Sequence, residues 1–204
     1  MLGDADVFST ISSNNRRGFS LIEAMVALSI TAMAGSVLLL ATEGVLKTTN
    51  DAVDQTIAQG MASQLIDEVL GARYCAATDP YETSLSRSAY EGAGTGRERY
   101  NDTDDWNDYT AAPPQDLYGR TLGQGDSNGY LRHPSLAATT TEFQNWRQTV
   151  DVYYVNPADP TERRADNNPS DYRAVEVTIE RTEPNGSLRP LAKMRRVYCY
   201  VPIP

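Results

Sequence analysis

The stretch Arg16-Arg17-Gly18-Phe19-Ser20-Leu21-Ile22-Glu23 decides how the rest of the chain is read. It runs straight into Ala24–Thr42, a segment without a single charged residue. As a helix rising ~1.5 Å per residue, that segment spans about 28 Å, close to the ~30 Å hydrocarbon thickness of a bilayer. Two arginines precede it, while Glu43 and Lys47 follow. The asymmetry predicts a single membrane pass, with the N-terminus in the cytoplasm and everything after Thr42 outside. Glu23 is the anomaly. A charged side chain at the centre of a membrane helix costs roughly 2.5–3.5 kcal/mol, less near an interface, and such residues mark function by default.

These residues resemble the type IV pilin-like proteins, the group that holds type IV pilins and the pseudopilins of type II secretion. Their signature is a basic leader ending in Gly, then Phe, with Glu as the fifth residue after the cut; Gly18, Phe19 and Glu23 match position for position. The resemblance implies that a prepilin peptidase cuts between Gly18 and Phe19 and N-methylates Phe19, with Arg16 and Arg17 as the basic end of the leader. It also implies that Glu23 compensates the terminal amine of a neighbouring subunit in a helical filament. Other pilin or pseudopilin subunits and an inner-membrane assembly platform are the implied partners. The physics agrees, since an amine and a carboxylate are each expensive in lipid alone and far less so as a pair. A carboxylate in the first helical turn is also favoured by the macrodipole.

On the residues alone, two other readings stand beside this one. Arg-Arg-x-Phe-x-Leu is also the core of a twin-arginine export signal, for which Ala32-Met33-Ala34 offers a small-x-small cleavage site. A plain single-pass anchor is the other. An export signal has no use for Glu23, and the helical pattern does not stop where such a signal would end.

The expected organisation follows in chain order. Residues 1–18 are a polar leader, 19–42 the transmembrane and filament-core helix, and 43–74 its amphipathic continuation. In that continuation Leu46, Val53, Ile57, Met61, Leu65 and Val69, flanked by Ala58, Ala62, Ile66 and Leu70, form one face. No proline interrupts Phe19–Ala72, so one helix of some 50 residues is expected. The segment Ala62–Glu68 is similar to the helix of minor pseudopilins and of one class of minor pilins. Residues 75–145 form a variable region of Gly, Asp, Thr and Pro, with short strands or turns around Tyr90, Trp106, Tyr109, Leu117, Tyr118 and Tyr130. Residues 146–204 alternate apolar and polar through 149–155, 172–181 and 191–201, with Pro184-Asn185-Gly186-Ser187 as a turn. A long N-terminal helix on a C-terminal antiparallel sheet, an α+β fold of the pilin type, is therefore the expected architecture.

Composition narrows function further. A net charge of −9 and a single basic cluster, Lys193-Met194-Arg195-Arg196, within a strand pattern give no nucleic-acid surface. The one histidine, His133, precedes Pro134 in a turn-like stretch, and no Gly-x-Ser-x-Gly elbow presents a nucleophile. No enzyme is expected. The glycines of Gly92-Ala93-Gly94-Thr95-Gly96 lack the Gly-Lys-Ser/Thr ending of a phosphate loop. Asn101–Asp108 holds hard oxygen ligands at alternating positions, which suits calcium. Yet Trp106 stands where a third ligand belongs and no glutamate closes the loop, so a solvated acidic loop and no cofactor are expected. Cys75 and Cys199 fall on the side assigned as extracytoplasmic, where an even count favours a disulfide joining the end of the helix to the last strand. The function expected is that of a minor pseudopilin or minor pilin. The alternative is a membrane-tethered or exported binding domain with no filament role.

Overall fold

The computed structural model describes residues 18–75, 80–123 and 142–202. Helix α1 runs from Leu21 to Leu70, 50 residues without a break. Strands β1 (Tyr109–Ala111), β2 (Trp146–Asn156), β3 (Asp159–Arg163), β4 (Tyr172–Thr182) and β5 (Leu188–Cys199) follow, giving an α+β fold. The chain divides into two compact units, one up to Thr49 and one from Asn50 onward. Helix α1 contributes to both.

In the first unit α1 is apolar all round and entirely exposed, with Leu28 and Leu39 each 72 % accessible. Its hydroxyls are turned back onto the helix. Ser29 Oγ donates to Met25 O, Thr31 Oγ1 to Ala27 O, Ser36 Oγ to Met33 O and Thr42 Oγ1 to Leu39 O, all at 2.8 Å. Satisfying polar groups within the segment is what a lipid surrounding requires, since no water is there to do it.

The second unit is built on an antiparallel sheet in the order β1-β2-β4-β5, with β3 pairing to the far end of β2. The alternation read in the sequence puts Val150, Val152 and Tyr154 of β2 and Val175, Val177 and Ile179 of β4 on one face, all buried. Ala58, Met61, Ala62, Leu65, Ile66 and Val69 of α1 pack against that face in one cluster. The buried stripe begins only at Ala58. Leu46 and Val53, which share its periodicity, stay exposed. An acid–base network fastens the α1 segment that begins at Asn50 to the sheet. Arg181 bonds Asp54, and Arg189 Nη1 lies 3.2 Å from Asp51 Oδ1. The opposite face carries Arg147–Glu180 and Lys193–Glu176 pairs across neighbouring strands, beside a small buried cluster of Tyr153, Val155 and Ala174.

The turn after β4 carries Gly186 at φ 81°, the left-handed conformation that glycine adopts at no steric cost. A register shift between Ile179 and Glu180 sets Glu180 opposite Pro190 of β5. The polar connection between β2 and β4 contains β3, which is fully exposed and folds back on β2 as a hairpin.

Residues 80–123 wrap the remaining edge of the core. Arg97 is their anchor and is 2 % exposed. Its guanidinium meets Glu68 of α1 at 2.9 Å, donates to Tyr109 Oη at 2.7 Å and to Gln115 O at 3.1 Å, and lies over the Trp106 and Tyr109 rings.

Candidate functional site

The start of α1 is held by a reciprocal pair of contacts. The Glu23 backbone N–H donates to Ser20 Oγ at 3.3 Å, and the Ser20 N–H points back to Glu23 Oε2 at 3.5 Å. This is a capping box, Ser-x-x-Glu, in which each residue covers one orphan donor of the first turn. The Ser-x-x-Glu spacing is visible in the sequence. The contacts are long, and the carboxylate makes them through Oε2.

Gly18 and Phe19 lie just ahead of the helix, both exposed. Arg16 and Arg17 lie outside the described residues, as does His133. Beyond Glu23, helix α1 includes a window of mean hydropathy 2.1, long and apolar enough to cross a membrane.

Residues 13–39 match the family model of the prokaryotic N-terminal methylation motif. The chain thus carries a prepilin-type signal over this stretch, one that implies processing by a prepilin peptidase and assembly with other pilin-like subunits. No curated protein and no solved structure matches the chain.

Three other expectations meet the structure away from this end. No disulfide joins Cys75 to Cys199. The two segments do adjoin, because the Tyr74 ring contacts those of Tyr198 and Tyr200 at 5.5 and 5.3 Å. Side chains alternate along an extended strand, so Cys199, between two tyrosines that face Tyr74, is directed the other way.

The glycine-rich loop is filled by the protein itself. Glu98 Oε1 accepts from the Thr95 N–H at 3.0 Å and Oε2 from the Gly96 N–H at 2.9 Å. These bonds, with one from the Glu98 backbone itself, hold its carboxyl below the usual range. An anion nest exists here, and its anion is a side chain of the same loop.

The acidic run 101–108, expected from the sequence to be a solvated loop, is folded into the protein. Asp102, Asp104 and Asp105 are buried rather than solvated. Trp106, 2 % exposed, draws the run inward. The backbone on either side is tied to the end of α1, Thr103 N donating to Arg73 O at 2.9 Å. The Asn101 and Asp102 N–H groups both turn onto Asp105 Oδ2.

Proposed function

We propose that the chain is a minor subunit of a type IV pilin-like filament, either a type II secretion pseudopilus or a type IV pilus. The leader is removed between Gly18 and Phe19, and Phe19 is N-methylated. Residues 19–42 then hold the subunit in the cytoplasmic membrane, with the domain from Asn50 onward outside, until it enters the filament. The observation that carries this reading is the methylation-motif match over an apolar helix whose carboxylate stands in the first turn.

Each part has a physical task. Fully exposed Leu, Ile, Val and Met side chains on α1 leave water for lipid, and then for the flanks of neighbouring helices. Small residues Ala24, Ala27, Ala32, Ala34, Gly35 and Ser36 let those helices approach closely. Glu23 sets axial register by meeting a neighbour's terminal amine, since neither charge is tolerated alone in lipid. The capping box keeps the carboxylate stationed at the helix start until that amine arrives.

Co-expression with a prepilin peptidase, followed by intact-mass analysis and N-terminal sequencing, tests the processing. A mature chain beginning at N-methyl-Phe19 is the expected result. Cleavage near Ala34 would make the helix a discarded export signal. An uncut chain, with a control substrate cut in parallel, would leave a membrane-tethered domain as the better account.

A further inference from the structure

The carboxylates of Asp102, Asp104 and Asp105 each place an oxygen within 4.8 Å of the other two, and all three residues are buried. Asp102 is 1 % exposed, and its Oδ1 has no hydrogen-bond partner. Asp104 Oδ1 also lacks one, its nearest compensation being Arg173 Nη1 at 3.5 Å. Around them the carboxylates touch in pairs. Asp102 meets Asp104, Asp105 meets Glu91, and Asp104 meets Glu82.

Of the two buried arginines among the described residues, Arg97 is paired with Glu68, which leaves Arg173, fully buried, beside Asp104. That guanidinium is largely spent elsewhere, donating to Tyr74 O at 2.6 Å, Thr103 Oγ1 at 3.0 Å and Tyr154 Oη at 3.1 Å. Arg73 directs its charge to Asn101 Oδ1 at 2.7 Å. Buried carboxylates in mutual contact, with orphan oxygens and too little positive charge, leave a site that a small hard cation completes.

We propose that Asp102, Asp104 and Asp105 bind a calcium ion, with Asp102 Oδ1 as the oxygen that no protein donor serves. The donor set is all oxygen, as a hard cation requires. Carboxylate oxygens within 4.8 Å of one another can share one calcium ion bound at about 2.4 Å. Calcium accepts an irregular protein donor set, whereas magnesium demands a near-ideal octahedron and keeps its waters. Water completes the shell.

The loop differs from a helix–loop–helix calcium site in having no closing glutamate downstream. Here Glu91, in the 3-10 turn Glu91–Ala93, braces the loop by accepting from Asn101 Nδ2. The site sits where Arg73 pairs with Asp102 in a short parallel bridge just past the end of α1. Calcium would therefore fasten the 80–123 region to the α1 terminus and, through Arg173, to β4. The inference is independent of the filament reading.

The test uses the full-length chain in detergent, stripped with EDTA, dialysed, and titrated with calcium chloride or magnesium chloride by calorimetry. Thermal unfolding is followed in parallel. One calcium per chain, a calcium-dependent rise in the unfolding midpoint, and weaker magnesium binding are expected. Asp102→Asn and Asp105→Asn should each lower calcium affinity by about 100-fold or more. In EDTA both variants should unfold at or above the wild-type temperature, because each removes a buried repulsion. Absent calcium binding, unchanged binding in the variants, or magnesium as strong as calcium would overturn the assignment. Variants less stable than wild type in EDTA would overturn it too, since the carboxylates would then be a proton-sharing structural network.

Discussion

Gly96 has no room for a side chain. A Cβ there would lie 2.2 Å from Gly119 N and 2.4 Å from Leu117 O, both backbone atoms that cannot swing aside. Gly96→Ala is expected to destabilise the domain by about 3 kcal/mol, read as a lower urea midpoint with an unchanged slope. Its neighbour Arg97 gives a companion test. Arg97→Met strands the Glu68 carboxylate and leaves the Tyr109 hydroxyl to Gln148 Nε2 alone, and a loss of about 3 kcal/mol is expected, moderated because Glu68 keeps some access to water. At the other end of the chain, Glu23→Ala should leave membrane insertion intact while abolishing incorporation into sheared filaments. Incorporation at wild-type levels would sink the register role assigned to Glu23. The residues of this scale divided unevenly in the sequence. Glu23 announced itself because a carboxylate in an apolar run has no bland explanation. The three buried aspartates did not, because adjacent acids in a Gly- and Thr-rich segment have the composition of a solvated loop. What buries them is a set of long-range ties, Thr103 to Arg73 and Arg173 to Tyr74, that no local pattern encodes.

Helix α1 changes surroundings along its length without changing conformation. Its apolar face is periodic from Leu46 onward, yet only the part from Ala58 meets the sheet. Leu65→Ala, at 3 % exposure, is expected to cost about 2–5 kcal/mol of folding stability. Val53→Ala, at 52 % exposure, should cost less than about 0.5 kcal/mol in the isolated subunit. Equal losses at both positions in chemical denaturation would contradict this division of the stripe. Periodicity showed which residues share a face but not where the partner surface begins, which depends on how far the sheet reaches. The strands β2, β4 and β5 were legible because alternation of Val, Ile and Tyr survives any tertiary context. Strand β3 was not, since Asp159-Pro160-Thr161-Glu162-Arg163 is polar, exposed and held by its hairpin partner alone. Strand β1 was too short to carry a period at all.

At the scale of the whole molecule, the chain joins an apolar rod segment to a water-soluble domain. Carbonate extraction of membranes should leave the unprocessed protein in the pellet, and release into the supernatant would contradict a spanning helix. In the filament proposed above, such a subunit would stand at high local concentration, shoulder to shoulder with its kind, where any sticky sheet edge becomes a hazard. The bulge opposite Pro190 takes on meaning here. Proline offers no N–H to an incoming strand, the shifted register twists the rim away, and Lys193, Arg195 and Arg196 charge what remains of it. The far rim is shared by the three-residue strand β1, closed by Pro113 and Pro114, and the short polar strand β3, which carries Pro160. Among the described residues neither border invites another strand, so in the filament proposed above subunits would join through their helices, and ordered growth would be protected from amyloid-like shortcuts.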